Sequence, residues 1–188
     1  MKFQRDIVYI LVIGILAAFC VQLSYIKVVE PKLRAEPVGA EVIYNQEARA
    51  DQKIIETIEA ADKFVYFAVY TFTKDNIRDA LLAAKIRGLE VRGVTDEEQI
   101  DRIKEQEALI KELRTAGIPV VEDNHSGIMH LKVVVTDKSF ISGSFNWTAA
   151  ATERNDEVLE YGTDEKLRKA YQNILEKLFK KYENSLAH

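Results

Sequence analysis

The chain opens with a run that is apolar on every side and then changes character. Residues 7–23, IVYILVIGILAAFCVQL, carry no charge and one glutamine near the end, with Lys2 and Arg5 before them and Lys27, Lys32 and Arg34 after. At about 1.5 Å of rise per residue, this run with its flanks is just long enough to cross a hydrocarbon core of about 30 Å. Residues 1–27 therefore read as a signal-anchor segment, one hydrophobic helix ahead of the domain. The alternative is a cleaved secretory signal, against which stand the length of the run and the lack of a convincing cleavage site after it. Residues 28–40, VVEPKLRAEPVGA, hold two of the three prolines and suit an extended tether.

From Glu41 onward, short strand-like runs alternate with segments of helical period. EVIY at 41–44 is a strand, and residues 46–61 place Ile54, Ile55 and Ile58 at helical spacing. KFVYFAVY at 63–70 is a continuous β-prone run, as expected of a strand buried on both faces. A helix follows with Thr73 as its N-cap and Gly88 as its stop. LEVRGVT is the next strand, and residues 97–116 predict one helix with Ile103, Ile110 and Leu113 on its inner face. Within it, TDEEQIDRIKEQE reads as a solvated face. IPVVE and EVLEY are further strands, and residues 164–182 predict an amphipathic helix buried through Leu167, Tyr171, Ile174, Leu178 and Tyr182. Such alternation predicts an α/β domain over 41–188, its sheet covered by helices on both faces.

Composition narrows the partners. The 188 residues carry 26 bases and 30 acids. The first 27 residues hold three of those bases and one acid, so the remainder is the more acidic part. That excludes a general nucleic-acid-binding surface wrapped around the domain and leaves room for a small basic cleft. The sole cysteine, Cys20, lies in the apolar run, which excludes an intrachain disulfide and a cysteine-based metal site.

One segment is too polar for an ordinary hairpin: MHLKVVVTDKSFISGSFNWT, residues 129–148. In a strand, residues two apart share a face at about 6–7 Å. His130 and Lys132 then project together, with Leu131, Val133 and Val135 turned into a core. After a turn near Asp137 to Ser139, an extended return places Ser142, Ser144 and Asn146 on one face, and Gly143 admits close backbone approach. An imidazole, an ammonium, a hydroxyl and an amide around one spot suit a phosphate, with Lys132, Ser144 and Asn146 binding it. Histidine is the group able to act as nucleophile or proton carrier near neutral pH. Taken alone, His130 reads equally well as a hydrogen-bonded structural side chain. His125 is the nearby second histidine, and with no suitably spaced carboxylate the pair does not make a metal site. Ser142 and Trp147 read as structural.

His130-Leu-Lys132, Asp137 and Gly143-Ser-Phe-Asn146 together resemble the signature of the phospholipase D superfamily. Residues 68–96 also resemble the upstream strand-helix-strand of its single-motif members, the bacterial endonucleases and their mitochondrial relatives. Five residues separate Asp137 from Gly143, where the family commonly has six. The resemblance implies a phospholipase D-like mixed β-sheet and a metal- and cofactor-free phosphodiesterase. His130 is then the nucleophile forming a phosphohistidine, Lys132 a catalytic phosphate clamp, and Glu157 the acceptor that orients the histidine. Asp137 belongs to this catalytic set by shaping the hairpin and supporting the site. With one motif per chain, the resemblance implies a homodimer in which two His130 side chains share one site. A nucleic acid is the preferred substrate and a phospholipid the alternative; a third possibility is a non-catalytic phosphate-binding module. The apolar helix makes the membrane a further partner, and if the chain is bacterial the catalytic domain is expected on the extracytoplasmic, periplasmic side, anchored or secreted.

Overall fold

In the computed structural model, residues 39–187 are described. The expected anchor at 7–23, Cys20 and nearly all of the expected tether lie outside them. Among the described residues, no helix is long and apolar enough to cross a membrane.

Seven strands form one mixed sheet in the order β1-β7-β6-β5-β2-β3-β4. They are β1 (Ala40–Tyr44), β2 (Phe64–Val69), β3 (Glu90–Asp96), β4 (Val120–Asp123), β5 (Lys132–Thr136), β6 (Phe140–Gly143) and β7 (Val158–Gly162). β2, β3 and β4 run parallel, joined by helical crossovers, and the remaining pairs are antiparallel. The helices are α1 (Ala50–Glu59), α2 (Asp75–Ile86), α3 (Glu97–Arg102), α4 (Lys104–Thr115), α5 (Ala149–Glu153) and α6 (Glu165–Tyr182).

The continuous apolar run of β2 is explained by burial on both sides. Val65, Phe67 and Val69 join the core under α1, α2 and α4, whereas Tyr66 and Ala68 join the core under α6. Trp147 is fully buried in the first core, with its ring centroid 5.5 Å from that of Phe67 and 4.7 Å from that of Phe72. Removing such a ring costs about 3–5 kcal/mol.

Four local expectations need correction. Lys74, not Thr73, is the N-cap of α2 and makes no side-chain capping bond; the N–H groups of both residues donate to the Trp147 carbonyl, at 2.9 and 3.1 Å. The single helix over 97–116 is two helices that break at Ile103, whose backbone is extended. Its supposed solvated face also hides two amides. Gln106 is fully buried and donates to the Tyr70 carbonyl and the Thr95 hydroxyl, and Gln99 is nearly as buried. On α6 the stripe facing the sheet is buried at Leu175 and Tyr182 and half-buried at Tyr171, Leu178 and Phe179, while Leu167 (53 %) and Ile174 (47 %) are exposed. Gly88 does end α2, at a φ of 89° that a side chain rarely adopts.

Candidate active site

Both the carboxyl end of β2 and the amino end of β5 lie at one end of the sheet, since Val69 pairs with Lys132. Next to them the Gly143 end of β6 meets the amino end of β7, where Gly143 pairs with Leu159. Five of the residues named from the sequence converge at this sheet end: His130, Lys132, Ser144 and Asn146 from the hairpin and its flanks, and Glu157 from the approach to β7.

His130 does not stand on a strand. β5 begins at Lys132, and His130 lies exposed in the preceding loop. Its ring packs edge-on against Tyr70, centroids 4.9 Å apart. Lys132 is 5 % exposed, and its Nζ donates to the His130 carbonyl at 2.8 Å. Burial lowers the Lys132 pKa to about 8, against the opposing pull of the Glu157 charge. Leu131, Val133 and Val135 pack into the α6-side core, as the alternation requires.

The returning strand also departs from simple alternation. β6 ends at Gly143 and the chain bends at Ser144, so Ser144 and Asn146 reach the site by a turn. The Ser144 hydroxyl donates to Glu157 Oε2 and accepts from the Val158 N–H. Asn146 Oδ1 accepts from the Thr71 N–H at 3.3 Å, which ties the hairpin to the end of β2. A Cβ at Gly143 would lie 2.1 Å from the Val158 carbonyl oxygen. Only glycine lets β7 come this close, and β7 brings Glu157 with it. The buried Glu157 carboxylate accepts from Ser144 and from Asn155 Nδ2, and His130 is not among its partners.

Asp137 is not in the site. It follows the far end of β5, where its Oδ1 accepts from the N–H groups of Asp62 (3.0 Å) and Lys63 (3.1 Å). It does shape the hairpin, but from the opposite end of the strands. The short spacing leaves the register whole: Val133 pairs with Ser142 and Val135 with Phe140.

Sequence reading overlooked Tyr70, Asp96 and Gln99, all near His130. Tyr70 was absorbed into a buried run, and the other two into an apparently solvated helix. Their position at or just after the ends of buried strands was the available signal, since strand ends in an α/β sheet are where sites gather.

With this geometry in view, comparison with known proteins is decisive for the family. The family described as Cardiolipin synthase, PLD-like domain matches residues 54–179. The chain belongs to the phospholipase D-like family. Mitochondrial cardiolipin hydrolase of Xenopus tropicalis is 33 % identical over 71 % of this chain and 63 % of its own length. Phospholipase D of Rickettsia prowazekii is 36 % identical over 63 % of this chain and 57 % of its own length. The chain thus spans about three fifths of these relatives. The phospholipase D family member Nuc from Salmonella typhimurium superposes with a TM-score of 0.71 at 29 % identity, over 76 % of this chain and 94 % of Nuc. NucT from Helicobacter pylori gives 0.70 at 26 % identity, over 76 % and 96 % of the two chains. The mixed seven-stranded sheet is the phospholipase D-like fold.

Proposed function

We propose that this phospholipase D-like domain is a phosphodiesterase that needs no metal or cofactor and works as a homodimer through a phosphohistidine on His130. The observation that supports it is the pairing of an exposed imidazole with a buried ammonium at one sheet end, Lys132 Nζ lying 2.8 Å from the His130 carbonyl. A neutral His130 imidazole attacks phosphorus and the bond to the leaving oxygen breaks. The protonated His130 of the second copy gives its proton to that oxygen. Water, deprotonated by the second copy's imidazole, then cleaves the P–N bond and restores both rings. Lys132, with Ser144 and Asn146, holds the nonbridging oxygens. For Glu157 to orient His130, its carboxylate must turn from the Ser144 and Asn155 bonds it makes in one protomer. Asp137 acts from a distance by fixing the hairpin.

The preferred substrate is a nucleic acid, supported by the single-motif resemblance and by the near-complete overlap with Nuc and NucT. A phospholipid is the second reading, favoured by the exposed Ile128 and Val158 close to His130 and Glu157 in sequence, and by relatives named phospholipase D and cardiolipin hydrolase. Residues 7–23 would hold the enzyme at a membrane with its domain on the extracytoplasmic side. The deciding experiment offers single-stranded DNA, RNA and phospholipid vesicles side by side in EDTA. Nuclease activity that falls steeply with salt is expected, through counterion release; cleavage of the vesicles alone selects the second reading, and no cleavage without added metal refutes both.

A further inference from the structure

We infer that Asp96 and Tyr70 are positioning residues that hold His130 in its attacking orientation, an inference that rests on reading His130 as the nucleophile. Asp96 ends β3, is 2 % exposed, and divides its carboxylate between two elements. One oxygen accepts from the Gln99 N–H and starts α3, while the other accepts from the Met129 N–H at 2.8 Å. The loop before β5 is exposed from Asn124 to Ile128, so this bond fixes the chain one residue ahead of His130. One residue after it, the Leu131 carbonyl accepts from the Tyr70 N–H at 3.0 Å. The backbone of the nucleophile is therefore pinned on both sides.

The ring itself is steadied by Tyr70, and Tyr70 by the same helix that Asp96 caps. Gln99 Nε2 donates to the Tyr70 hydroxyl at 2.9 Å, and Gln99 Oε1 accepts from the Thr71 hydroxyl at 3.1 Å. The links close a circuit from Asp96 through Gln99, Tyr70 and Leu131 to His130 and Met129, and back to Asp96. A closed circuit around an exposed imidazole removes rotational freedom that the solvent-facing side chain would otherwise keep. The phenol ring, rather than its hydroxyl, meets the imidazole edge-to-face at 63°.

The test uses the full chain, with bis(4-nitrophenyl) phosphate as the probe diester. Asp96→Asn and Tyr70→Leu are expected to lower kcat by about 10- to 100-fold with KM nearly constant, the scale on which a nucleophile misplaced by about 1 Å loses rate. Tyr70→Phe, which keeps the ring, is expected to recover most of what Tyr70→Leu loses. In the histidine-¹⁵N-labelled chain, Tyr70→Leu should change the His130 imidazole signals and leave those of His125 in place, a response that general loosening of the fold would not give. Unchanged kcat in both Asp96→Asn and Tyr70→Leu while His130→Asn is inactive overturns the inference and spares the nucleophile. Equal losses in Tyr70→Phe and Tyr70→Leu, or losses that merely follow the melting temperature, overturn it as well. An active His130→Asn overturns the nucleophile reading itself, and the positioning role with it.

Discussion

The β5–β6 hairpin has two polar ends, and they use their polar groups in opposite ways. At the turn, the polar groups are met mostly by backbone, and Lys138 Nζ pairs with the Asp62 carboxylate at 2.8 Å. Asp137 accepts from two N–H groups of the segment before β2, the Thr136 hydroxyl accepts from the N–H groups of Lys138 and Ser139, and the Thr136 carbonyl accepts from Arg168. Burial pushes the Asp137 pKa up, but the Lys63 and Asp62 N–H groups outweigh it and hold the carboxyl below its usual range. At the open end, a histidine ring remains exposed and a lysine is buried beside it with its pKa lowered to about 8. A polar group whose bonds are all met within the fold stabilises that fold; one left short of partners is available to a substrate. The three residues of one motif thus divide between the candidate site and the architecture.

Four substitutions and one titration separate the two ends. His130→Asn is expected to lower turnover by about 10⁴-fold or more, as loss of a nucleophile does, with melting temperature and dimer unchanged; a purified variant that keeps its activity would remove the open end's claim to the chemistry. Lys132→Ala should lose about 3–5 kcal/mol of transition-state stabilisation, since it takes a charged clamp from the phosphoryl oxygens, measurable as a fall in kcat/KM. Asp137→Ala should instead destabilise the fold by about 0.5–1.5 kcal/mol, the net worth of bonds to exposed N–H groups that water can replace, read from denaturant unfolding, while kcat of the folded enzyme holds. A kcat loss matching that of Lys132→Ala would erase the division between the ends. The smallest effect is in pH. Lys132 is charged below its pKa, so kcat/KM should fall as pH rises through about 8. Lys132→Arg, whose guanidinium stays charged, should move that alkaline limb upward in whatever activity it retains.

Stability elsewhere follows a similar logic. Burial pushes the Asp51 pKa up, yet hydrogen bonds from Arg49, Lys74 and Asn76 outweigh it and hold this carboxylate far below its usual range. Because the folded pKa is the lower one, Asp51 contributes stability above the ordinary carboxylate range and loses it as pH falls.

Most strands were legible because a sheet covered on both faces demands continuous apolar runs, and Phe64–Val69 has one. Gly88 was legible because only a left-handed residue ends α2 there. The break at Ile103 was not, because the charge pattern runs through it unchanged. It depends on Gln106 reaching the Phe72 N–H and Thr95, contacts across 34 and 11 residues of chain. The same blindness hid Asp96 and Gln99. Local polarity says a residue is wet, and only the fold shows which polar residues are turned inward. In the site, His130, Lys132, Ser144, Asn146 and Glu157 were brought together, although through a loop and a bend where alternation along strands was expected. Asp137 was legible as a residue that shapes the hairpin, which it does through the N–H groups of Asp62 and Lys63; its distance from His130 was not, because a motif fixes order along the chain and leaves open which end of a strand each member occupies.

A two-step mechanism through His130 leaves a stereochemical record at phosphorus. One diastereomer of a P-chiral phosphorothioate diester, matched to whichever substrate class the side-by-side assay identifies, is cleaved in ¹⁸O-labelled water and the product configuration determined. Two successive in-line displacements give net retention, the expected result; net inversion would mean that water attacks directly and that no phosphohistidine forms.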